Sequence, residues 1–226
     1  MALLEVICQT EEDARQAEDG GAHRIELVRG ISRGGFTPSC DVTEAVLRAT
    51  RLPVRVMIRE NENHEVTEEA RIASMAESAR RAKELGASGV VLGLRRGGKP
   101  DCTLTSRVLA ATSLPATFHH AFEELDDPLA AIALLKTIPA IDRILSHGGP
   151  GGWEAKAERL EQRRRAALPQ ITLLAGGGID EGVIRLLRER TGIVEFHAGR
   201  AARAGEDAEA PVTAARVTRL ARALTD

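Results

Sequence analysis

The chain has 226 residues and a formal net charge of −2, which gives no basic footprint for nucleic acid. Hydrophobic residues make up 43% and charged residues 28%, the balance of a folded domain rather than a disordered chain. One Trp, four Phe and no Tyr leave no stacking surface for single strands, and no apolar run reaches the roughly 18 residues that span a bilayer. The opening MALLEVICQTEED has no basic region ahead of an apolar core, and Cys8, Cys40 and Cys102 form no CxxC pair; a cytoplasmic protein is expected.

Short apolar, β-branched runs alternate with amphipathic segments along the chain. The predicted strands are Leu3–Gln9, Arg24–Arg29, Pro53–Arg59, Gly89–Leu94, Pro115–His119, Asp142–His147, Gln170–Ala175 and Ile193–Gly199. Between them lie helical patterns such as Glu11–Asp19, Asp41–Thr50, Thr67–Leu85 and Pro128–Ile138. Start signals recur at Thr10, Asp127–Pro128 and Asp180–Glu181, and Gly86 and Gly192 stand where a left-handed C-cap is expected. Strands alternating with helices imply parallel pairing through right-handed crossovers. Eight such units predict one (β/α)8 barrel over residues 1–226 rather than an open flavodoxin-like or Rossmann-like sheet, because the first strand–helix turn carries no GxGxxG. The longer loops, Gly30–Ser39 and Glu60–Val66, follow strand C-termini, the face where barrels keep their chemistry.

Alternate strand residues share a face, so each strand can be read for the side that carries polar groups. Glu5, Arg24, Glu26, Arg55, Arg59, Thr117, His119, Glu195 and His197 fall on the side opposite the continuously apolar one and are expected in the lumen. Their charges are complementary, with Arg143 a further candidate. For Glu5, Arg55 and Glu195 two readings stand open, a buried salt-bridge layer plugging the floor or a functional pocket. Glu26, Arg59, His119 and His197 lie nearer strand ends and are expected in the pocket. There Arg59 would hold a carboxylate or phosphate, Glu26 or His119 would act as base and His197 as acid.

The turn Gly176-Gly177-Gly178 after the seventh strand and Gly199 after the eighth stand where barrels bind phosphate through backbone N–H groups. Gly177, Gly178 and Gly199 are therefore candidates for a small anionic ligand, against the alternative that they only make tight turns. A similar turn spans Gly148–Gly152. His119, His120, His147 and His197 gather at predicted strand ends, His120 being the weakest by parity. A divalent-metal site of Glu26 and His119 with His147 or His197 is also conceivable from these residues. The four lysines, Lys83, Lys99, Lys136 and Lys156, are expected in helices or loops, so no strand-borne Schiff base is foreseen. GxSxG, HExxH and P-loop motifs are missing. Cys8 falls on the outward side, while Cys40 and Cys102 begin helices; a helix start can activate a thiol, which leaves Cys40 a minor candidate.

Leu4-Glu5-Val6, Gly20-Gly21-Ala22-His23-Arg24-Ile25-Glu26-Leu27, Gly34-Gly35-Phe36-Thr37-Pro38-Ser39, Pro53-Val54-Arg55-Val56-Met57-Ile58-Arg59, Thr117-Phe118-His119 and Glu195-Phe196-His197 together resemble the CutC family. So do Asp142-Arg143-Ile144-Leu145-Ser146 and Gly176-Gly177-Gly178-Ile179, in order from about residue 3 to residue 200. The resemblance implies a cytoplasmic single-domain barrel, a homodimer and a link to copper homeostasis. It also implies inward cysteines after the first Glu-Val and after Glu-Leu, where this chain carries Ile7 and Val28. Those are the soft ligands Cu(I) needs, so thiolate copper binding is expected to be weak or absent. The cofactor stays open, and two functions stand side by side: copper homeostasis, as the resemblance implies, or a lyase, isomerase or hydrolase acting on an anionic or sugar-like substrate.

Overall fold

A computed structural model describes residues 2–225. Among them eight strands form one closed parallel barrel: β1 (Leu3–Cys8), β2 (Arg24–Leu27), β3 (Val54–Met57), β4 (Gly89–Leu92), β5 (Ala116–Phe118), β6 (Ile141–Ser146), β7 (Thr172–Ala175) and β8 (Glu195–Ala198). Each strand pairs with its neighbour in sequence, and β8 closes onto β1 with Glu5 beside His197. Around the barrel run α1 (Glu11–Asp19), α2 (Cys40–Ala49), α3 (Glu69–Leu85), α4 (Cys102–Ala110), α5 (Pro128–Leu135), α6 (Trp153–Ala167), α7 (Glu181–Arg190) and α8 (Ala214–Arg222). This is the (β/α)8 architecture expected from the alternation of strand and helix patterns. Among the described residues no helix is long and apolar enough to cross a membrane.

The outward strand residues Leu4, Val6, Ile25, Leu27, Val54, Val56, Val90, Phe118 and Phe196 are buried under the helices in one large apolar cluster. Burial of this apolar area, at about 25 cal/mol per Å², is the main stabilising contribution. Helix starts follow the expected chemistry: Thr10, Asp127 and Asp180 each accept an amide N–H of the first turn.

Gly86 closes α3 in the left-handed region at φ 99°, its N–H reaching the carbonyls of Ala82 and Lys83. Gly192 does not do the same for α7. Thr191 ends that helix in an extended conformation, and the Gly192 N–H donates to Glu161 at 3.0 Å instead. What requires glycine there is space, because a Cβ would lie 2.6 Å from the Arg164 guanidinium. Lys99 also departs from expectation, lying in a two-stranded antiparallel ribbon (Arg95–Arg96 with Lys99–Pro100) outside the barrel.

Strands β3 and β5 end earlier than the pattern predicts, at Met57 and Phe118. Arg59 and His119 therefore belong to the outgoing loops, where strand alternation no longer dictates direction.

Candidate functional site

The lower lumen is filled by charge. Arg24 donates from Nε to Glu5 and from Nη2 to Glu195 at 2.8 Å. Arg143 donates to both oxygens of Glu195, at 2.7 and 2.9 Å, and to Asp142. Arg55 forks onto Asp142 at 2.7 and 2.6 Å and reaches the Thr117 hydroxyl at 2.9 Å. Three guanidinium groups thus meet three carboxylates in one continuous layer. Arg55 and Glu195 belong to this plug, which excludes water and supports whatever lies above it.

Asp142 was not among the inward residues expected from alternation. The register against β5 skips it, Ala116 facing Ile141 and Thr117 facing Arg143. This irregularity gives β6 one extra residue, and the Asp142 carboxylate turns toward Arg55.

Glu5 joins the plug to the pocket. Its Oε1 accepts from Nδ1 of His197 at 2.7 Å, while Arg24 holds the other oxygen. Burial alone would raise its pKa, but Arg24 and His197 together hold it well below the usual carboxylate range. Across the ring, Nε2 of His197 lies 3.6 Å from Oε2 of Glu26. Glu26 is 3% exposed and has no guanidinium partner. Burial, reinforced by the charge of Glu5, pushes its carboxyl up to about 7. Burial would lower His197, yet Glu26 and Glu5 raise it. The result is an ionised carboxylate, an imidazole whose pKa is raised and a second carboxyl raised to about 7, in sequence.

Glu26 and His197 open into a cavity of about 1000 Å³ at the C-terminal ends of the strands. Ile7, Val28, Met57 and Leu145 supply apolar wall, and His120, Glu123, Glu124 and His147 face it from the β5 and β6 loops. Gly177, Gly178 and Gly199 also line the cavity. Gly177 and Gly178 sit at φ 75° and 99°. A Cβ on Gly177 would lie 2.6 Å from that of His147, so this glycine also lets two loops approach. Asp180, which caps α7, Glu206 and the exposed Arg200 also line the cavity and bring charge of both signs there.

Arg59 and His119 are not part of this cavity. The Arg59 guanidinium donates to the carbonyls of Gly34 at 2.9 Å, Gly35 at 3.1 Å and Glu62 at 3.0 Å, and lies over Phe36. It ties the Gly30–Ser39 loop to the Glu60–Val66 loop. His119 accepts the Ala121 N–H on Nδ1 at 3.1 Å and packs between His64 and His120. Burial and its cationic neighbours push His119 well below the usual histidine range, leaving it neutral. Its ring fits only because residue 93 is glycine, where a Cβ would stand 2.5 Å from Nδ1. Both residues border a separate void of about 10 Å³ with His64. The divalent-metal grouping of Glu26 with His119 is thus not assembled.

Of the neighbouring His119 and His120, it is His120, the weakest histidine by parity, that faces the cavity. The strand has ended, and a 3₁₀ turn over His120–Glu124 redirects the chain. Burial, with His64 and Arg59 nearby, lowers it to about 4.

Glu123 escaped the sequence reading. Its Oε1 accepts from the Ser146 hydroxyl at 2.6 Å, the His147 N–H at 2.8 Å and Arg163 at 2.8 Å, so it fixes the β6 loop that carries His147. Burial would raise its pKa, but Ser146 and Arg163 lower it. Its only signal was an acidic pair in a loop, and Arg163 was hidden in the basic run of α6.

Among the described residues one group of metal-type donors lies within 4.8 Å of one another: Glu5, Glu26 and His197. Arg24 and His197 already occupy both oxygens of Glu5, which leaves Glu26 and Nε2 of His197 unengaged. The thiols lie elsewhere. Cys8 is buried on the outer side of β1 and bonds the Val6 carbonyl at 3.8 Å, and burial raises its pKa well above the usual range. Cys40 is exposed at the start of α2 and Cys102 is half-buried at the start of α4.

The model of the CutC family matches residues 2–202. The chain is 36% identical over 197 residues to a human protein named copper homeostasis protein cutC homolog, covering 86% of this chain and 72% of that one. It is 37% identical over 202 residues to a family protein CutC of Xanthomonas axonopodis, covering 86% and 82%. A solved structure, described as a putative copper homeostasis protein CutC from Streptococcus agalactiae, superposes with TM-score 0.79 at 27% identity, covering 87% of this chain and 98% of that one. A 4-hydroxy-tetrahydrodipicolinate synthase from Methylacidiphilum fumariolicum, at TM-score 0.64 and 16% identity, shares the fold alone. A (β/α)8 barrel with this match over nearly its whole length belongs to the CutC family.

Proposed function

We propose that this CutC-family barrel performs proton-transfer chemistry on a small polar molecule in its C-terminal cavity, with Glu26 and His197 as the acid–base pair. The observation that carries the reading is their juxtaposition: a cavity-facing carboxyl without a guanidinium partner, 3.6 Å from an imidazole that Glu5 orients. A general acid–base group works best with a pKa near the operating pH. Glu5 keeps the Nδ1 proton in place, so Nε2 is the nitrogen that exchanges with Glu26 or the ligand. The charged plug below excludes water from this end. The turns at Gly177, Gly178 and Gly199 would receive an oxyanion on the outer end of the ligand. The reaction class is an isomerisation, elimination or hydrolysis.

Copper enters through the names of the relatives, and the residues of this chain do not fit a resident copper ion. Cu(I) prefers thiolates, yet Ile7 and Val28 present apolar side chains to the cavity. The two unengaged donors fall short of the three or four that enclose a metal. We further propose a cytoplasmic homodimer, the state implied by the resemblance.

The test is an NMR titration of the ligand-free protein, labelled at glutamate carboxyls and histidine rings. Glu26 is expected to titrate near 7 and His197 above its ordinary range. A Glu26 midpoint in the ordinary carboxylate range would sink the proposal. So would a metabolite extract that wild type and Glu26→Gln leave in the same state.

A further inference from the structure

The chemistry of the ligand's inner end is written in what surrounds Glu26. This carboxyl is 3% exposed, faces the cavity and has no hydrogen-bond partner among the described residues, with His197 at 3.6 Å its nearest ionic neighbour. Leaving a buried polar group unpartnered is costly, so a ligand that meets it gains what the protein withholds. No buried cationic side chain but His197 shares that space. Among the described residues each buried arginine is committed elsewhere: Arg24 to Glu5 and Glu195, Arg55 to Asp142, Arg59 to three backbone carbonyls, Arg163 to Glu123 and Arg203 to Asp13. Arg200 also lines the cavity, exposed after β8, so beside Glu26 and His197 an oxyanion would meet a carboxyl and none of the buried guanidinium groups. The flanking walls, Ile7, Val28, Met57 and Leu145, are apolar.

Building on the acid–base reading, we infer that the inner end of the ligand is an uncharged, hydroxyl-bearing carbon chain or ring, whose O–H groups bond Glu26 while its C–H face lies on the apolar walls. A hydroxyl both donates and accepts, so it satisfies Glu26 with or without its proton. A carboxylate or phosphate at the same place suits only the protonated form. The cavity volume, about 1000 Å³, leaves room for such a molecule and for its outer end at the rim.

The experiment uses the whole protein labelled with ¹³C at glutamate carboxyls. The probes are four- to six-carbon alditols and the matching aldarates, which carry a carboxylate at both ends and so cannot offer Glu26 an uncharged terminus. At least one alditol is expected to shift the Glu26 carboxyl resonance saturably at millimolar concentration and to outcompete its aldarate. Glu26→Ala should weaken that alditol about tenfold, the value of one hydrogen bond to a charged group. Glu26→Gln, isosteric and still able to accept, should lose less; thermal unfolding of both variants confirms that they fold. The inference is overturned if aldarates bind as tightly as alditols, if no alditol perturbs Glu26, or if Glu26→Ala leaves alditol affinity unchanged. Because the acid–base reading is judged on the ligand-free titration, the two can fail separately.

Discussion

The imidazole of His197 donates its Nδ1–H to Oε1 of Glu5 across 2.7 Å, at the seam where β8 closes onto β1. One hydrogen bond therefore joins closure of the barrel to the orientation of the cavity imidazole. Glu5→Gln keeps the shape but removes the negative charge that helps to raise His197. The His197 titration midpoint should fall, read from its ring ¹⁵N shifts. An unchanged midpoint would mean that Glu5 does not act on His197.

Protein stability should depend on pH through the same three groups. Glu26 is raised on folding from 4.5 to about 7, so the folded chain binds more protons across that window and loses stability as pH rises through it. His197 is also raised; its contribution is full below 6.5 and is lost as pH climbs through the folded value. Glu5 is lowered, so its contribution is present above 4.5 and lost as pH falls further. The thermal unfolding midpoint of wild type should therefore be highest in mildly acidic buffer. Glu26→Gln removes the buried charge, and its midpoint should exceed that of wild type by a few degrees at pH 8 while matching it near pH 4.5.

The plug beneath the cavity should be sensitive to loss of one sign. Glu195→Ala strands Arg24 and Arg143 without their shared partner, at a cost of about 3 kcal/mol in urea unfolding. A cost below about 1 kcal/mol would show that water or rearrangement replaces the pair.

Arg59 should behave as a loop tie. Arg59→Ala removes three hydrogen bonds to backbone carbonyls, with an expected loss of about 2 kcal/mol. Amide exchange should accelerate in residues 30–39 and 60–66, with the Glu26 titration left in place. A shift of that titration without faster exchange would return Arg59 to the pocket.

Copper uptake offers a direct comparison. Wild type should fail to take Cu(I) from a competing chelator under reducing conditions, and Ile7→Cys/Val28→Cys should gain uptake by placing two thiols in the cavity wall. Stoichiometric uptake by wild type contradicts this.

Strand alternation was enough to place Glu5, Glu26, Glu195 and His197 inside the barrel, because period 2 leaves little freedom once one face is apolar. It failed where the strand ended or slipped. His119 and His120 exchanged roles because β5 stops at Phe118, and Asp142 turned inward because β6 carries an extra residue against β5. Glu123 and Arg163 come from a 3₁₀ turn and a helix, neither of which follows the strand period.

The sequence by itself determined the barrel, its apolar shell and the residue types that enter the lumen, since these follow from local periodicity and from burial of apolar area. It also determined that Ile7 and Val28 stand where thiols would have to be. Only the tertiary structure decided which lumen charges neutralise one another and which is left over. Arg24, Arg55 and Arg143 each had several acidic partners within reach of their strands, and the stagger of the closed barrel matched them to Glu5, Asp142 and Glu195. Glu26 stands beside Arg55 in the strand register but pairs with none of those guanidinium groups among the described residues, and it lines the cavity instead of joining the floor.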